Sequence, residues 1–230
     1  TKVKNNNILI IAAHPDDEVL GCGGTVAKMS KNGDNVDVLI ISDGVSSRNL
    51  KNKVLKENLI LRRQACVLSC DLLGINKPEF ENFPDNQLDK IPLLKITQVI
   101  EKKIKKIKPN IIFTHHWGDL NVDHQKISKA VITACRPQKG NNVKTLLFFE
   151  IPSSTEWQIS SKKNLFSPNW FFDISSTINL KIKALKFYKS ELKKSPHPRS
   201  LTGIKTLAKW RGAVVGSKAA EAFELGRKYE

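Results

Sequence analysis

Residues 8–20 of the chain read ILIIAAHPDDEVL. The first six are apolar and have the length of a buried strand. Directly after them come an imidazole and three carboxylates, those of His14, Asp16, Asp17 and Glu18. Burying so much charge at a strand end is unfavourable unless a cation or a hydrogen-bond network compensates it. The stretch therefore predicts a β-strand that ends in a metal site.

Strand and helix signals alternate along the first two thirds of the chain, which is typical of an α/β fold with a mostly parallel sheet flanked by helices. The last third changes character, and residues 201–229 are typical of one broken helix or two successive helices. We therefore expect a helical C-terminal segment. The predicted strands are 7–12, 36–42, 79–83, 110–115, 143–151 and 170–174, and the predicted helices before residue 201 are 17–32, 53–73, 91–108, 123–135 and 177–192.

The composition indicates a single globular domain over residues 1–230. Hydrophobic residues make up 40% and charged residues 26%, and no Pro/Gly/Ser-rich linker divides the chain. No stretch reaches the ~20 apolar residues of a membrane span, and the first apolar run is too short for a signal-peptide core. We expect a cytoplasmic protein without stable membrane insertion. The four scattered cysteines fit buried thiols in a reducing compartment.

The net charge of +16 raises the question of nucleic acid, since clustered Lys and Arg would bind a phosphate backbone. The lysines, however, are spread from Lys2 to Lys228. The densest run, residues 102–108, continues a helical apolar pattern and is most simply the solvated face of that helix. We expect no nucleic-acid partner. The surplus charge suits an anionic substrate, such as a nucleotide sugar or a phospholipid-linked sugar.

A second polar stretch follows a later strand. Residues 115–124 read HHWGDLNVDH, and they lead from the predicted strand 110–115 into the helix 123–135. In an open parallel sheet, ligands bind at the carboxyl ends of the strands, where loops pass into helices. Because both charged stretches fall at that edge, we expect them to face each other across one cleft.

Two imidazoles and one carboxylate suit zinc, and three protein ligands leave a coordination position for water. We predict that His14, Asp17 and His124 are these ligands. Zinc lowers the pKa of water to about 7 and polarises a carbonyl group. The adjacent carboxylate of Asp16 is then the natural general base. The same ligand types also suit Fe²⁺ or another divalent metal, and Fe²⁺ would bring oxygen chemistry.

With these residues in place, the chain resembles the PIG-L/LmbE-like metal-dependent deacetylases, which remove acetyl groups from N-acetylglucosamine-type amino sugars. The family signature AHPDDE stands whole at residues 13–18, and the histidine-terminated second motif stands at residues 119–124 as DLNVDH. The resemblance implies a Rossmann-like, three-layer sandwich, the same three metal ligands and Asp16 as the base. It also implies a homo-oligomer and a role in surface-polysaccharide biosynthesis.

One position departs from the family pattern. Many members carry a histidine three residues before the last metal ligand, and this chain has Asn121 there. An amide donates a hydrogen bond but does not shuttle a proton. We therefore expect His197, or one of His115 and His116, to supply the missing acid or electrostatic function.

The resemblance extends to counterparts of PSSTEW at 152–157 and PHPRS at 196–200. Tryptophan in the first of these would stack on a sugar ring, although tryptophans also serve as core or interface residues. The glycines of residues 21–24 lack the GxGxxG spacing and indicate close helix packing rather than a phosphate loop. Expected substrate contacts are Asn121, Asp119, His116, Glu156, Trp157 and Arg199, while Glu18 and Asp123 are expected to hydrogen-bond the site from behind.

These residues predict a zinc-dependent hydrolase that deacetylates an N-acetylated amino sugar linked to a nucleotide, phosphate or lipid. The alternative is a metal-containing protein that binds a sugar or an anionic ligand without catalysis, because Asn121 cannot shuttle a proton.

Overall fold

The computed structural model describes residues 5–47 and 51–229; residues 1–4, 48–50 and 230 of the predicted domain lie outside the described residues. Strands and helices alternate along most of the chain, as expected. The strands are β1 (Asn7–Ala12), β2 (Asn35–Ser42), β3 (Glu79–Phe83), β4 (Ile111–His115), β5 (Thr145–Phe149), β6 (Trp170–Asp173) and β7 (Ala220–Lys228). The α-helices are α1 (Asp17–Lys31), α2 (Asn52–Leu73), α3 (Leu93–Ile107), α4 (Val122–Ala134), α5 (Ile178–Leu185) and α6 (Leu201–Val214), and a short 3₁₀ helix spans Leu88–Lys90.

The strands form one sheet in the order β3-β2-β1-β4-β5-β7-β6. The first five are parallel, and β7 runs antiparallel to both β5 and β6. Strand β1 is central, with Ile11 paired to both Leu39 of β2 and Thr114 of β4. This order confirms the predicted mostly parallel sheet, and it places the end of β1 beside the end of β4.

Helices cover both faces of the sheet, which gives the three layers that the resemblance implied. Alternate side chains of β1 enter different cores: Ile8 and Ile10 pack with α1, α2 and α5, whereas Leu9 and Ile11 pack with α3 and α4. A strand buried on both faces is necessarily apolar throughout. This explains why the run that begins at Ile8 shows no polar alternation.

The C-terminal segment is not helical throughout, which corrects the prediction for residues 201–229. Helix α6 ends at Val214, and β7 enters the sheet between β5 and β6. Ala and Glu at the start of β7 favour a helix locally. Packing overrides that preference, because the fully buried ring of Phe223 lies 5.1 Å from that of Phe113 and 5.7 Å from that of Phe172 between centroids. Helix α5 is also shorter than the predicted 177–192, and turns follow it.

A buried ion pair joins β7 to two helices. Lys181 Nζ of α5 lies 2.6 Å from Glu221 Oε1 and donates to the Leu20 carbonyl of α1 at 2.7 Å. The carboxylate of Glu221 also accepts from the backbone N–H groups of Gly24 and Thr25, at 2.9 and 2.7 Å. The two charges are thus paired and hydrogen-bonded, which makes their burial tolerable.

The glycines of α1 allow close packing, as predicted. A Cβ atom on Gly21 would lie 2.5 Å from the ring of Phe149, and one on Gly24 would lie 2.8 Å from Ile174. Either contact is far below van der Waals distance. The four cysteines are all buried and unpaired. Within the part of the chain that the structure describes, no helix combines the length and apolar character needed to cross a membrane.

Candidate metal and catalytic site

The two polar stretches meet at the carboxyl edge of the sheet. Strands β1 and β4 are parallel neighbours, so the loop after Ala12 and the loop after His115 leave the sheet side by side. The first loop turns into α1 and the second into α4. As expected, this brings His14, Asp17 and His124 into one pocket.

The three predicted metal ligands converge on one carboxylate oxygen. Asp17 Oδ2 lies 3.2 Å from His14 Nδ1 and 3.3 Å from His124 Nε2. Asp17 and His124 are fully buried, and His14 is 8% exposed. Asp17 Oδ1 and His124 Nε2 are both buried and have no partner in hydrogen-bonding geometry among the described residues, since His124 Nε2 meets Asp17 Oδ2 only at ion-pair distance. Such orphaned polar atoms are costly unless something else binds them.

The electrostatics of the pocket favour positive charge. Burial alone would lower the pKa of His124, but the carboxylates of Asp119 and Asp17 raise it to about 9. Burial would raise the pKa of Asp17, yet His124 and His14 hold it well below its usual range. A divalent metal ion fits these groups, because two imidazole nitrogens and a carboxylate oxygen are a common zinc-type ligand set. The same donors also match the prediction of Fe²⁺ or another divalent ion.

Two further carboxylates contact the imidazole of His14. Asp85 Oδ1 and Asp123 Oδ2 lie 3.0 and 3.2 Å from His14 Nε2, on the side of the ring away from Asp17. Asp123 also accepts from the backbone N–H groups of Asn86 and Leu88. Partners of this kind set the tautomer of a ligating histidine. Asp123 therefore lies behind His14, one of the predicted ligands.

Asp85 was missed by the sequence reasoning. It stands two residues beyond β3, at the same carboxyl edge of the sheet as the two motifs. Burial would raise its pKa, but His14 holds the pKa of this carboxyl below its usual range. The rule that sites collect at strand ends was a usable signal for this residue.

Asp119 does not line the cleft, which corrects the predicted substrate contact. The residue is fully buried, and its Oδ1 lies 3.1 Å from Nδ1 of His124. Both carboxylate oxygens accept from the loop after β5, from the hydroxyls of Ser154 and Thr155. Asp119 therefore links the imidazole of His124 to that loop.

The adjacent histidines of β4 and its loop are also excluded from the cleft. His116 is fully buried, with Nδ1 2.9 Å from Glu224 Oε2 and Nε2 3.1 Å from the Asn164 carbonyl oxygen, which does not match the predicted substrate contact. His115 Nε2 accepts from the backbone N–H of Ala13 at 2.9 Å. Burial holds the pKa of His115 well below its usual range. Neither imidazole is therefore placed to supply the acid function that residue 121 was expected to lack.

Asp16, the predicted base, lies beside the ligands with its carboxylate between two arginines. Asp16 Oδ1 is 3.3 Å from Arg62 Nη2, and Oδ2 is 3.4 Å from Arg199 Nη1. Asp16 is only 2% exposed. Burial raises the pKa of Asp16 to about 6, although both arginines oppose the rise. A carboxyl group with a pKa near neutrality is suited to accepting a proton at physiological pH.

Arg62 was also missed. It is 7% exposed, and it donates to the carbonyl oxygens of Pro15 and Gly44 as well as contacting Asp16. Its neighbours at i+3 and i+4 on α2, Ala65 and Cys66, are buried. An arginine on the buried face of a helix usually has a specific partner. The position of Arg62 on that face of α2 was the sequence signal that could have identified it.

The loop of residues 196–200 lies next to the loop after β5. Arg199 Nε donates to the Pro152 carbonyl at 3.2 Å, and the ring of His197 lies 5.3 Å from that of Trp157. His197 Nδ1 accepts from the backbone N–H of Arg199 at 3.0 Å. Because Nδ1 is the acceptor in this contact, Nε2 is the ring nitrogen left to act as a donor.

The remaining predicted residues have clear positions. Asn121 caps α4, since its side-chain oxygen accepts from the Asp123 N–H at 2.8 Å, and its amide donates to Asn86 at 3.1 Å. Glu156 is exposed and accepts from the Ser153 N–H at 2.6 Å. Glu18 is fully buried beside Asp16 rather than beside a metal ligand, and burial raises its pKa to about 7.

Comparisons with known proteins identify the family and several relatives of this chain. Residues 9–135, more than half of the chain, match the model of the PIG-L family, described as GlcNAc-PI de-N-acetylase. A diacetylchitobiose deacetylase of Thermococcus kodakarensis is 27% identical over 233 aligned residues, covering 95% of this chain and 82% of the relative. The uncharacterized deacetylase YaiS of Escherichia coli K12 is 27% identical over 193 residues, covering 81% of this chain and 92% of the relative.

A solved structure shows the same fold. The N,N'-diacetylchitobiose deacetylase of Pyrococcus horikoshii matches with a TM-score of 0.79 at 21% identity, covering 96% of this chain and 83% of that one. The family match runs from β1 to α4, and thus includes the three predicted ligands and Asp16. The chain therefore belongs to the PIG-L family and is a metal-dependent N-deacetylase.

Proposed function

We propose that the protein is a zinc-dependent hydrolase that removes the acetyl group from an N-acetylglucosamine-type amino sugar. The observation that carries the proposal is the buried set of His14, Asp17 and His124 with the carboxylate of Asp16 beside it. The relatives from Thermococcus and Pyrococcus are named as deacetylases of diacetylchitobiose, which supports an amino-sugar substrate. The net charge of +16 favours a substrate linked to a nucleotide, phosphate or lipid carrier, as in cytoplasmic steps of surface-glycan synthesis.

The three ligands would hold zinc. When bound, zinc supplies Lewis-acid chemistry, because it acidifies water and polarises an amide carbonyl. The chain supports this arrangement through Asp119, which lies behind His124, and through Asp85 and Asp123, which lie behind His14.

Asp16 moves the proton in the proposed reaction. Its carboxylate accepts a proton from the attacking water and then returns one to the departing amine, which is the usual double role of a general base. Arg62 and Arg199 restrict the orientation of this carboxylate from two sides. Near-complete burial of Asp16 keeps competing water away from it.

His197 is the proposed electrostatic partner that Asn121 does not provide. With Nδ1 occupied by the Arg199 N–H, the Nε2–H of the neutral ring is the donor for the amide oxygen or the amine. Hydrogen-bond donors directed at developing charge are a main source of catalysis in amide hydrolysis. The 51% exposed indole of Trp157, next to His197, offers a stacking surface for the sugar ring. Glu156, Arg199 and Asn121 complete the proposed polar contacts.

Acetate release from a panel of UDP-linked, phosphate-linked and lipid-linked N-acetyl sugars tests the proposal. We expect turnover that stops after chelation and returns when zinc is added back. Asp16→Asn, which keeps the shape of the side chain, should bind the metal with unchanged stoichiometry but lose turnover by a factor of about 10² to 10⁴. The alternative, a metal-containing sugar-binding protein without catalysis, predicts binding and no acetate with any substrate. Restoration by Fe²⁺ alone would reassign the metal.

A further inference from the structure

The backbone of Asp16 has an unusual conformation. Its φ is 126° and its ψ is −28°, whereas the other non-glycine residues with positive φ among the described residues have values of 51° to 66°. The latter lie in the left-handed helical region, and Asp16 lies well outside it. Such strain persists only where the surroundings hold the residue in place.

Glu18 holds this strained backbone. Its Oε2 accepts from the Asp16 N–H at 2.9 Å. The contact joins the carboxylate at the first turn of α1 to the residue that precedes the helix, so it closes a small loop around Asp17. By contrast, Arg62 and Arg199 contact only the side-chain carboxylate of Asp16.

Tyr188 in turn holds Glu18. The Tyr188 hydroxyl donates to Glu18 Oε1 across a separation of 170 residues in the chain, and the Cys66 thiol donates to the same oxygen at 3.6 Å. Tyr188 is 2% exposed and belongs to the same core as α1, α2 and α5. Its ring is thus locked by packing, and its hydroxyl fixes which way the Glu18 carboxylate faces.

We infer that Tyr188 and Glu18 are positioning residues for Asp16, because the Tyr188 hydroxyl orients the Glu18 carboxylate and that carboxylate fixes the Asp16 N–H. The inference rests on the proposed role of Asp16 as the base. In this arrangement each residue acts through the backbone that carries the reacting carboxylate. Misplacing a reacting group by about 1 Å can cost up to a hundredfold in rate.

Tyr188→Phe is the sharpest test, since it removes one hydroxyl and leaves the packed ring. We expect kcat to fall about tenfold, while KM and metal stoichiometry stay at wild-type values and the melting temperature falls by a few degrees, because the buried Glu18 carboxylate loses one donor. Glu18→Ala should lower kcat further, and Glu18→Gln should recover most of the loss because its amide oxygen still accepts from the Asp16 N–H. Tyr229→Phe is the matched control, since Tyr229 is the other tyrosine of the chain and is 43% exposed.

Hydrogen exchange of the Asp16 amide gives a readout that is independent of activity. In the metal-free protein this amide should be protected in wild type and in Glu18→Gln, and should exchange faster in Tyr188→Phe and Glu18→Ala. If Tyr188→Phe does not fold, the comparison of Glu18→Gln with Glu18→Ala carries the same test. Unchanged kcat and unchanged exchange in the Tyr188 and Glu18 variants would overturn the inference.

The Asp16→Asn variant separates this inference from the proposed function. If Asp16→Asn keeps full activity, the base assignment fails and the positioning role fails with it. If Asp16→Asn is inactive while Tyr188→Phe and Glu18→Ala turn over normally, the proposed function stands and only the positioning role is wrong. A loss of kcat that parallels a loss of bound metal would also contradict the positioning role, because Tyr188 would then act on the metal site.

Discussion

Asp119 Oδ1 lies 3.1 Å from Nδ1 of His124, on the opposite side of the imidazole from the Nε2 atom that faces Asp17. The Asp119 carboxylate therefore orients the imidazole of His124, and the Asp17 carboxylate lies with that imidazole in the proposed metal pocket. Asp119 is in turn held by hydroxyls of the loop after β5, so the orientation of His124, a proposed metal ligand, depends on a loop on the next strand of the sheet.

Asp119→Asn should weaken metal binding without removing a ligand. The neutral amide is a poorer partner for the His124 N–H, and losses of this kind typically reduce metal affinity by about 10- to 100-fold. Competition with a chromophoric chelator measures the change. Asp89→Asn, an exposed aspartate in the 3₁₀ helix, is the control. Equal affinity in both variants would show that Asp119 does not support the ligand.

His197→Ala should lower kcat and leave the metal in place. Loss of a positioned proton or hydrogen-bond donor typically costs about 10²-fold or more. Steady-state kinetics with metal analysis of the same preparation tests this. Lys194→Ala, on the exposed approach to the same loop, should behave as wild type. Normal kcat in His197→Ala would assign this residue to loop structure alone.

Glu221→Leu should destabilise the fold strongly, since it leaves Lys181 as an uncompensated buried charge. Breaking one partner of a buried pair costs about 3–5 kcal/mol of unfolding free energy. Adding Lys181→Met should recover part of that loss, as urea denaturation would show. The exposed pair of Lys28 and Asp173 provides the contrast: Asp173→Asn should cost less than about 1 kcal/mol.

The contact of Glu79 with Lys103 and Lys106 should make stability depend on pH. The hydrogen bonds from these lysines lower the pKa of Glu79 below its usual value. A lowered folded-state pKa contributes stability at neutral pH, and that contribution is lost as the pH falls through the folded-state pKa. Because Glu79 is half exposed, Glu79→Gln should cost about 1 kcal/mol or less at pH 7, with no difference from wild type well below pH ~4.

Urea denaturation of wild type and Glu79→Gln, at pH 7 and well below pH ~4, measures this difference in unfolding free energy. Glu57→Gln, in an exposed position on α2, should show no comparable pH dependence. A difference between Glu79→Gln and wild type that grows as the pH falls would reverse the sign of the linkage and contradict the assignment.

The sequence by itself determined strand β1 and the two polar motifs that follow β1 and β4. The apolar run from Ile8 and the charges that end it are contiguous in the chain, and the spacing of Asp119 to His124 keeps the second motif equally local. Strand β1 must be buried on both faces, and polar groups at its carboxyl end then fall at the ligand-binding edge of a parallel sheet. The burial of β1 and the position of the polar groups thus follow from residues that are close together in the chain.

Only the tertiary structure decided which distant side chains complete the site. Arg62 and Tyr188 reach Asp16 and Glu18 from α2 and from the turn after α5, and the local sequence of neither element specifies that contact. The same holds for β7, where pairing with two strands and burial of Phe223 outweigh a local helical preference. The physical reason is the same for Arg62, Tyr188 and β7. The free energy that stabilises each of them comes from burial and hydrogen bonding between elements far apart in the chain, which local sequence patterns do not show.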